Sequence, residues 1–184
     1  MSTMVPFWRV GLAVPEDSPA IARLLSMIMA QHGWPVNTER VAETIRHVFA
    51  HPEQARFVVA YRGDPGSRAH SGRGCASAVS RSPAPDDQPA ASSRYVGGML
   101  TLVLAYSTWD GAPIASVDDL IVDPAERGQG LATKLLAWAA DYGRAQGWSR
   151  LELNVELNNA TARRLYQRFG FTRQTRALYV YSLR

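Results

Sequence analysis

Hydrophobic residues recur along the chain at two periods, and these periods predict its secondary structure. Apolar runs rich in β-branched and aromatic residues predict strands at 8–14, 55–61, 95–106, 114–122, 151–157 and 178–183. Apolar residues at helical spacing predict four helices, one opening at Pro15, one after Asn37 or Thr38, one over 130–146 and a short one ending at Gly170. The order of elements is then β-α-α-β-β-β-α-β-α-β.

The connections between these elements predict a mixed sheet. Asp110 and Gly111 tolerate the positive φ angles of a tight turn, so they favour an antiparallel hairpin between 95–106 and 114–122. A crossover through the helix at 130–146 would then place 151–157 parallel to residues 115–122. We therefore expect an α/β protein of the α+β type, with antiparallel strands first and a parallel pair afterwards.

Residues 62–94 differ in composition from the rest of the chain. Gly, Pro, Ser or Ala occupies 21 of these 33 positions, and Val79 is the only branched aliphatic residue among them. Such a segment buries too little apolar surface to offset its ordering entropy. We expect a flexible insertion within a single domain spanning 1–184, since the strands on its two sides are predicted neighbours.

Composition narrows the class of protein. Hydrophobic residues make up 46% of the chain and charged residues 20%, which is ordinary for a globular protein. No apolar run is long enough for a membrane span, and the first residues do not resemble a signal peptide, so we expect a cytoplasmic protein without a membrane partner. Cys75 is the only cysteine. The net charge is +4, but no predicted helix combines basic residues with interleaved aromatics. We therefore expect no nucleic-acid partner.

The segment DLIVDPAERGQGLATKLL, residues 119–136, has a glycine-rich turn between a strand and a helix. A P-loop needs a lysine followed by Ser or Thr, whereas Lys134 is followed by Leu135. A dinucleotide fingerprint needs a third glycine, where Thr133 stands. The residues alone leave two interpretations. The turn is either purely structural, or its small residues let main-chain NH groups converge on an anion at a helix N-terminus.

Two motifs favour the second interpretation. Arg127-x-x-Gly130-x-Ala132 resembles the Q/R-x-x-G-x-G/A signature of the GNAT superfamily of N-acetyltransferases. The stretch from Asn159 to Phe171 resembles the second signature of that superfamily, N-x-x-A-x-x-L-Y-x-x-x-G-F. The two motifs come in the family's order and on the expected elements, and the resemblance covers the chain outside 62–94. Residues 107–122, STWDGAPIASVDDLIV, resemble the diamine-acetyltransferase-like branch.

The resemblance implies the acyl-CoA N-acyltransferase fold, with helices on both faces of the sheet and a parallel pair that splays apart at a bulge. It also implies acetyl-CoA as co-substrate and no metal. In the family, the pantetheine arm pairs with the strand before the turn, and the pyrophosphate binds the turn itself. The matching cofactor-binding residues are Leu120, Ile121, Val122, Arg127, Gly128, Gln129, Gly130, Leu131, Ala132, Thr133 and Asn159. The alternative role for Asn159 is only that of a helix N-cap.

The resemblance also implies catalytic roles. Tyr166 matches the acid that protonates the departing thiolate; its alternative role is packing on the helix face. Asp118 stands where the branch has a glutamate base. Because neighbours in a strand point to opposite faces, we expect only one of Asp118 and Asp119 to face the site. Strict alternation over 151–157 places Glu152, Asn154 and Glu156 on the polar side of one strand, and they are the alternative bases. Together with Asp119, these three residues are also expected, at lower priority, in acceptor binding.

One pair of histidines has the spacing of metal ligands, but it does not contradict the prediction that no metal is needed. His47 and His51 have the i, i+4 spacing of a zinc site, but Val48 stands where a zincin has glutamate and no third ligand is evident. The sequence therefore predicts an acetyl-CoA-dependent N-acetyltransferase that acts on a small, cationic primary amine. The amine would attack acetyl-CoA directly in a ternary complex, and the protein could form a homodimer. Two alternatives stay open: a protein lysine or N-terminal acetyltransferase, and a non-catalytic acetyl-CoA sensor.

Overall fold

In the computed structural model of the chain, residues 7–62, 94–175 and 177–183 are described, and they form two compact units, 1–153 and 154–184. The insertion predicted at 62–94 lies outside the described residues, except for its first and last positions. The first unit contains five strands, β1 (Arg9–Leu12), β2 (Ala55–Arg62), β3 (Tyr95–Ser107), β4 (Ala112–Val122) and β5 (Leu151–Glu152). Its helices are α1 (Ser18–Gln31), α2 (Thr38–Ala50) and α3 (Leu131–Ala145).

The five strands form one mixed sheet in the order β1-β2-β3-β4-β5. Strands β1 to β4 are antiparallel to their neighbours, and β5 is parallel to β4. The predicted hairpin joins β3 to β4, with Gly111 at a φ of 62°. The mixed topology expected from the sequence is therefore confirmed.

Helices cover both faces of the sheet. On one face, α1 and α2 pack against alternate strand residues in a core that includes Ile21, Ile45, Phe57, Val59 and Met99. The intervening residues of β2 point the opposite way and are also buried, because α3 packs on β2, β3 and β4. Both faces are thus apolar, as the near-continuous hydrophobic run of β2 indicates.

The helix ends follow the local signals in the sequence. The Asn37 side chain accepts a hydrogen bond from the Arg40 NH at 2.9 Å and so caps α2. Helix α3 ends before Gly147, which takes the left-handed conformation at a φ of 72°. Among the described residues, none of the helices has the length and apolar content needed to cross a bilayer.

Two strand predictions are wrong. The strand expected over 151–157 contains only Leu151 and Glu152, and residues 178–183 belong to no strand. In the latter segment the apolar side chains are exposed: Leu178, Tyr179, Val180, Tyr181 and Leu183. A pattern of apolar and polar residues shows only which side chains could share a face. A strand also needs a neighbouring strand to pair with its NH and CO groups. Residues 178–183 join no strand ladder in the described part of the chain.

The second unit contains one helix, α4 (Ala160–Phe169). The Asn159 side chain caps its first turn, and Gly170 ends it at a φ of 114°. The helix predicted to end at Gly170 is confirmed, because both of its boundaries depend on local chemistry.

Candidate functional site

A β-bulge interrupts β4 at the two adjacent aspartates. Met99 pairs with Ile121 and Thr101 pairs with Asp118, so Asp119 and Leu120 together stand opposite Leu100. Asp119 has a φ of 49°, the only positive φ among the described non-glycine residues. Aspartate tolerates this left-handed conformation better than most residues, so Asp119 is compatible with the bulge.

The bulge changes the expected arrangement of the two carboxylates. The Thr101 hydroxyl donates a hydrogen bond to Asp119 Oδ2 at 3.0 Å, although the cross-strand partner of Thr101 is Asp118. The expectation that Asp118 and Asp119 point to opposite faces is therefore wrong, because strict alternation fails where two residues oppose one. Asp118 is exposed and accepts a hydrogen bond from the Ser116 hydroxyl at 2.7 Å.

The surroundings perturb one of these carboxylates. Desolvation raises the pKa of Asp119, the Thr101 hydrogen bond lowers it, and the negative charge of Asp118 raises it further. The net effect is a pKa above the usual range for aspartate. Thr101 is a residue that the sequence interpretation missed. The available signal was a single hydroxyl in the apolar stretch MLTLVL, residues 99–104.

The parallel pair separates just before the bulge. Strand β5 pairs with β4 only at Ala115–Leu151 and Ser116–Glu152. Residues 117–122 of β4 have no strand beside them on that side within the described part of the chain. Their main-chain NH and CO groups can pair with an extended ligand that has amide groups of its own. This edge includes the predicted binding residues Leu120, Ile121 and Val122; the Ile121 side chain is buried in the core.

The glycine turn presents main-chain donors at the N-terminus of α3. Gly128 and Gly130 have φ angles of 80° and 75°, and a Cβ at either position would meet no atom within 4 Å. Glycine is needed here for its backbone conformation, while the space beside the turn stays open. Gly130 is the N-cap and supplies no side-chain acceptor to α3. The NH groups of the first helical turn, 131–133, lack intrahelical partners, so the turn fits a diphosphate.

Two side chains of the turn are used within the protein. Arg127 Nε donates to the Val122 carbonyl oxygen at 3.2 Å. The Gln129 side chain accepts from Trp8 Nε1 at 3.1 Å and donates to Glu126 Oε2 at 2.9 Å. With its side chain held by Trp8 and Glu126, Gln129 can present its backbone NH to an anion.

In the second unit, Asn159 Oδ1 accepts a hydrogen bond from the Ala162 NH at 3.0 Å, so the capping role is present. The Tyr166 ring contacts the Phe171 ring edge-on, with centroids 5.8 Å apart. Partial burial raises the pKa of the Tyr166 hydroxyl. A phenol with a raised pKa stays protonated at neutral pH and keeps a proton to donate.

The remaining polar candidates do not share one strand face. Glu152 lies in β5 and accepts a hydrogen bond from Arg150 Nε at 3.1 Å. Asn154 and Glu156 follow the end of β5 and are in no strand. The alternation that was expected to align these three side chains therefore stops after Glu152. Within the described ranges, no three His, Cys, Asp or Glu side chains are grouped so that they could hold a metal ion.

Residues 88–171 match the model of the Acetyltransferase (GNAT) family. The matched region contains β4 with its bulge, the glycine turn and α4. The similarity to the GNAT superfamily is therefore shown for this region, which is just under half of the chain. The diamine-acetyltransferase-like branch is not singled out by this match.

Similar proteins agree with the GNAT assignment. The chain is 43% identical over 72 residues to a mycothiol acetyltransferase of Beutenbergia cavernae, a match that covers 38% of this chain and 24% of that protein. It is 33% identical over 76 residues to an aminoalkylphosphonate N-acetyltransferase of Salmonella typhimurium, a match that covers 41% and 49% of the two chains. The chain thus spans about a quarter to a half of the length of these relatives.

Fold comparison extends the likeness to nearly the whole chain. A crystal structure of a possible acetyltransferase from Clostridium difficile 630 superimposes with a TM-score of 0.72 at 12% identity, and the match covers 96% of this chain and 97% of that one. The expected GNAT fold is therefore confirmed.

Proposed function

We propose that this chain is an acetyl-CoA-dependent N-acetyltransferase that acetylates a primary amine of a small molecule in a ternary complex. One observation carries the proposal. Within the region that matches the family, a bulged strand whose edge is unpaired among the described residues is followed, after one 3-10 turn, by a glycine turn that presents main-chain NH donors. The first element suits the amide groups of pantetheine and the second suits a diphosphate.

In this proposal, the residues of the site have four separate roles. The β4 backbone at 120–122 binds the pantetheine arm, and the backbone of 128–133 binds the diphosphate. Asp119 accepts the proton that the amine loses as its nitrogen attacks the thioester carbonyl. Tyr166 protonates the thiolate as the C–S bond breaks. Its assignment is supported by the family motif and by its raised pKa, and Asn159 is assigned to cofactor contact on the motif alone.

The acidic bulge supports Asp119 as the base. A carboxylate with a raised pKa is a stronger base near neutral pH, and a bulge re-aims its side chain away from strict alternation. Asp118, which the sequence motif assigns as the base, stays the competing candidate. Two neighbouring carboxylates also favour a cationic acceptor, and Glu152 adds a third acid on β5. Asn154 and Glu156 stay lower-priority acceptor contacts.

The acceptor class follows from the same chemistry. The Salmonella relative is named for an aminoalkylphosphonate substrate, which is a small primary amine. We therefore propose small amines, diamines among them, ahead of a protein lysine or N-terminus. We also propose a cytoplasmic protein without nucleic-acid, membrane or metal partners, and a homodimer, whose mass light scattering on the purified chain would measure.

The test is thiol release from acetyl-CoA with three acceptor pools: small mono- and diamines, aminoalkylphosphonates, and peptides with free lysines or N-termini. Amine-dependent thiol release, with acetylated amine found by mass spectrometry, is the expected result. Turnover with peptides alone would favour the protein acetyltransferase. Acetyl-CoA binding by calorimetry without turnover in any pool would favour the sensor.

Replacing Gly130 by Ala should weaken acetyl-CoA binding by about tenfold, with a smaller effect on kcat. A Cβ at a φ of 75° costs about 1–2 kcal/mol, so the turn relaxes and its NH groups move. Isothermal titration with CoA measures the change.

Gly147→Ala is the matched control, because Gly147 follows the other end of α3 with a φ of 72° and equally open surroundings. It should lose similar thermal stability but bind CoA like the wild type. Equal losses of CoA affinity in both variants would show a general stability effect instead of a local one.

The acid limb of the pH profile should move in opposite directions in two further variants. Removing the Asp118 charge in Asp118→Asn lowers the pKa of Asp119, so activity should persist to lower pH. Removing the hydroxyl in Thr101→Val raises that pKa, so activity should be lost at higher pH than in the wild type. The acid limb of kcat/KM measures both shifts, and an unmoved limb in both variants argues against Asp119 as the base.

A further inference from the structure

A polar and aromatic network connects the glycine turn to the ends of three strands. Glu126 lies in the 3-10 turn Pro124–Glu126 just before the glycines, and its carboxylate forms an ion pair with Arg62 at the end of β2. Gln129 bridges Glu126 to the indole NH of Trp8, which precedes β1. The Arg62 guanidinium lies 4.5 Å from the Trp8 ring centroid and 4.8 Å from that of Tyr95.

The network is closed and largely buried. Trp8 is only 5% exposed and Glu126 only 7%. A Cβ at Gly97 would overlap the Trp8 ring and lie 3.2 Å from Glu126 Cγ, so glycine at that position leaves room for the ring. Arg62 contacts both Glu126 and Trp8, which completes a loop of contacts back to Gln129.

Charge explains why the arginine matters. Glu126 places a buried negative charge two residues before Gly128, where the turn is proposed to bind a diphosphate. An unpaired carboxylate there would repel the ligand. Arg62 cancels that charge, and the two aromatic rings favour the guanidinium between them.

We propose that Arg62, Glu126 and Trp8 are positioning residues for diphosphate binding. They hold Gln129 by its side chain, so that the turn presents backbone NH groups, and they keep the site free of net negative charge. The inference rests on the proposed function, because it assumes that the turn binds the diphosphate of acetyl-CoA.

The test compares two donors, acetyl-CoA and acetyl-pantetheine, which lacks the diphosphate. Arg62→Gln should raise the KM for acetyl-CoA by about tenfold and leave the KM for acetyl-pantetheine and both kcat values within about twofold. In the double variant Arg62→Gln, Glu126→Gln, the repelling charge is gone and the introduced amide keeps an oxygen acceptor for the Gln129 side chain. The KM for acetyl-CoA should then return towards the wild-type value.

Arg144→Gln is the charge-matched control, since Arg144 lies on the surface of α3 and pairs with the exposed Asp141. It should leave both KM values unchanged. If Arg62→Gln does not fold, Trp8→Phe keeps an aromatic ring but removes the NH that holds Gln129, and should raise the KM for acetyl-CoA alone by a few fold.

The inference fails if the variants impair both donors equally, or if the double variant is no better than Arg62→Gln. The proposed function fails separately, if the wild-type protein neither binds acetyl-CoA nor uses it as a donor.

Discussion

Asp119→Asn should lower kcat by about 100-fold or more at neutral pH, because a general base contributes roughly this much to proton transfer. Asparagine is the replacement least disturbing to the fold: it tolerates the positive φ at this position and keeps an oxygen to accept the Thr101 hydrogen bond. The loss should therefore appear in turnover, with a melting temperature close to that of the wild type. Steady-state kinetics and calorimetry on the same samples measure both.

The matched control is Asp118→Asn, one position earlier in the same strand. Asp118 hydrogen-bonds to Ser116 and not to the buried Thr101, so its replacement should reduce kcat by less than about tenfold. If Asp118→Asn lowers kcat more than Asp119→Asn does, the base is Asp118, as the family motif indicates. Equal and mild effects in both variants would require a base outside the bulge.

Tyr166→Phe should lower kcat by about 100-fold while the affinity for CoA changes less than about threefold. Phenylalanine keeps the edge-on contact with Phe171, so only the hydroxyl and its proton are lost. Without that proton, the thiolate must leave as an anion or take a proton from water, and either route raises the barrier. Kinetics and CoA titration measure the two quantities separately.

Tyr179→Phe is the control for removing a hydroxyl from the same unit, because the Tyr179 side chain is exposed. It should be indistinguishable from the wild type. Wild-type turnover in Tyr166→Phe would mean that Tyr166 only packs on α4, which is the alternative left open by its helical spacing.

Local signals in the sequence predicted most of the secondary structure. Helices α2 and α4 begin at asparagine caps, and α3 and α4 end at glycines in the left-handed conformation. These boundaries depend on contacts between residues three or four positions apart, so a linear pattern contains them. The antiparallel pairing of β3 with β4 followed in the same way from one tight turn at Asp110 and Gly111.

The failures share one physical cause. Residues 151–157 alternate like a strand and residues 178–183 form an apolar, β-rich run, yet strand structure depends on a neighbour that the linear pattern does not supply. The bulge at Asp119 likewise depends on the register between β3 and β4, which sets Leu100 against two residues. Alternation alone placed Asp118 and Asp119 on opposite faces, and only the cross-strand pairing corrected it.

By itself, the sequence determined the likeness to the GNAT family, the mixed sheet and the position of the glycine turn, because motifs and caps are short-range patterns. Only the tertiary structure decided that Asp119 accepts a hydrogen bond from Thr101 and that, within the described residues, no strand pairs with the outer edge of β4 beyond Ser116. It also decided that Trp8, Arg62 and Glu126 meet at the turn, although they lie far apart in the chain. Such contacts depend on how strands pair and pack, and no local spacing encodes them.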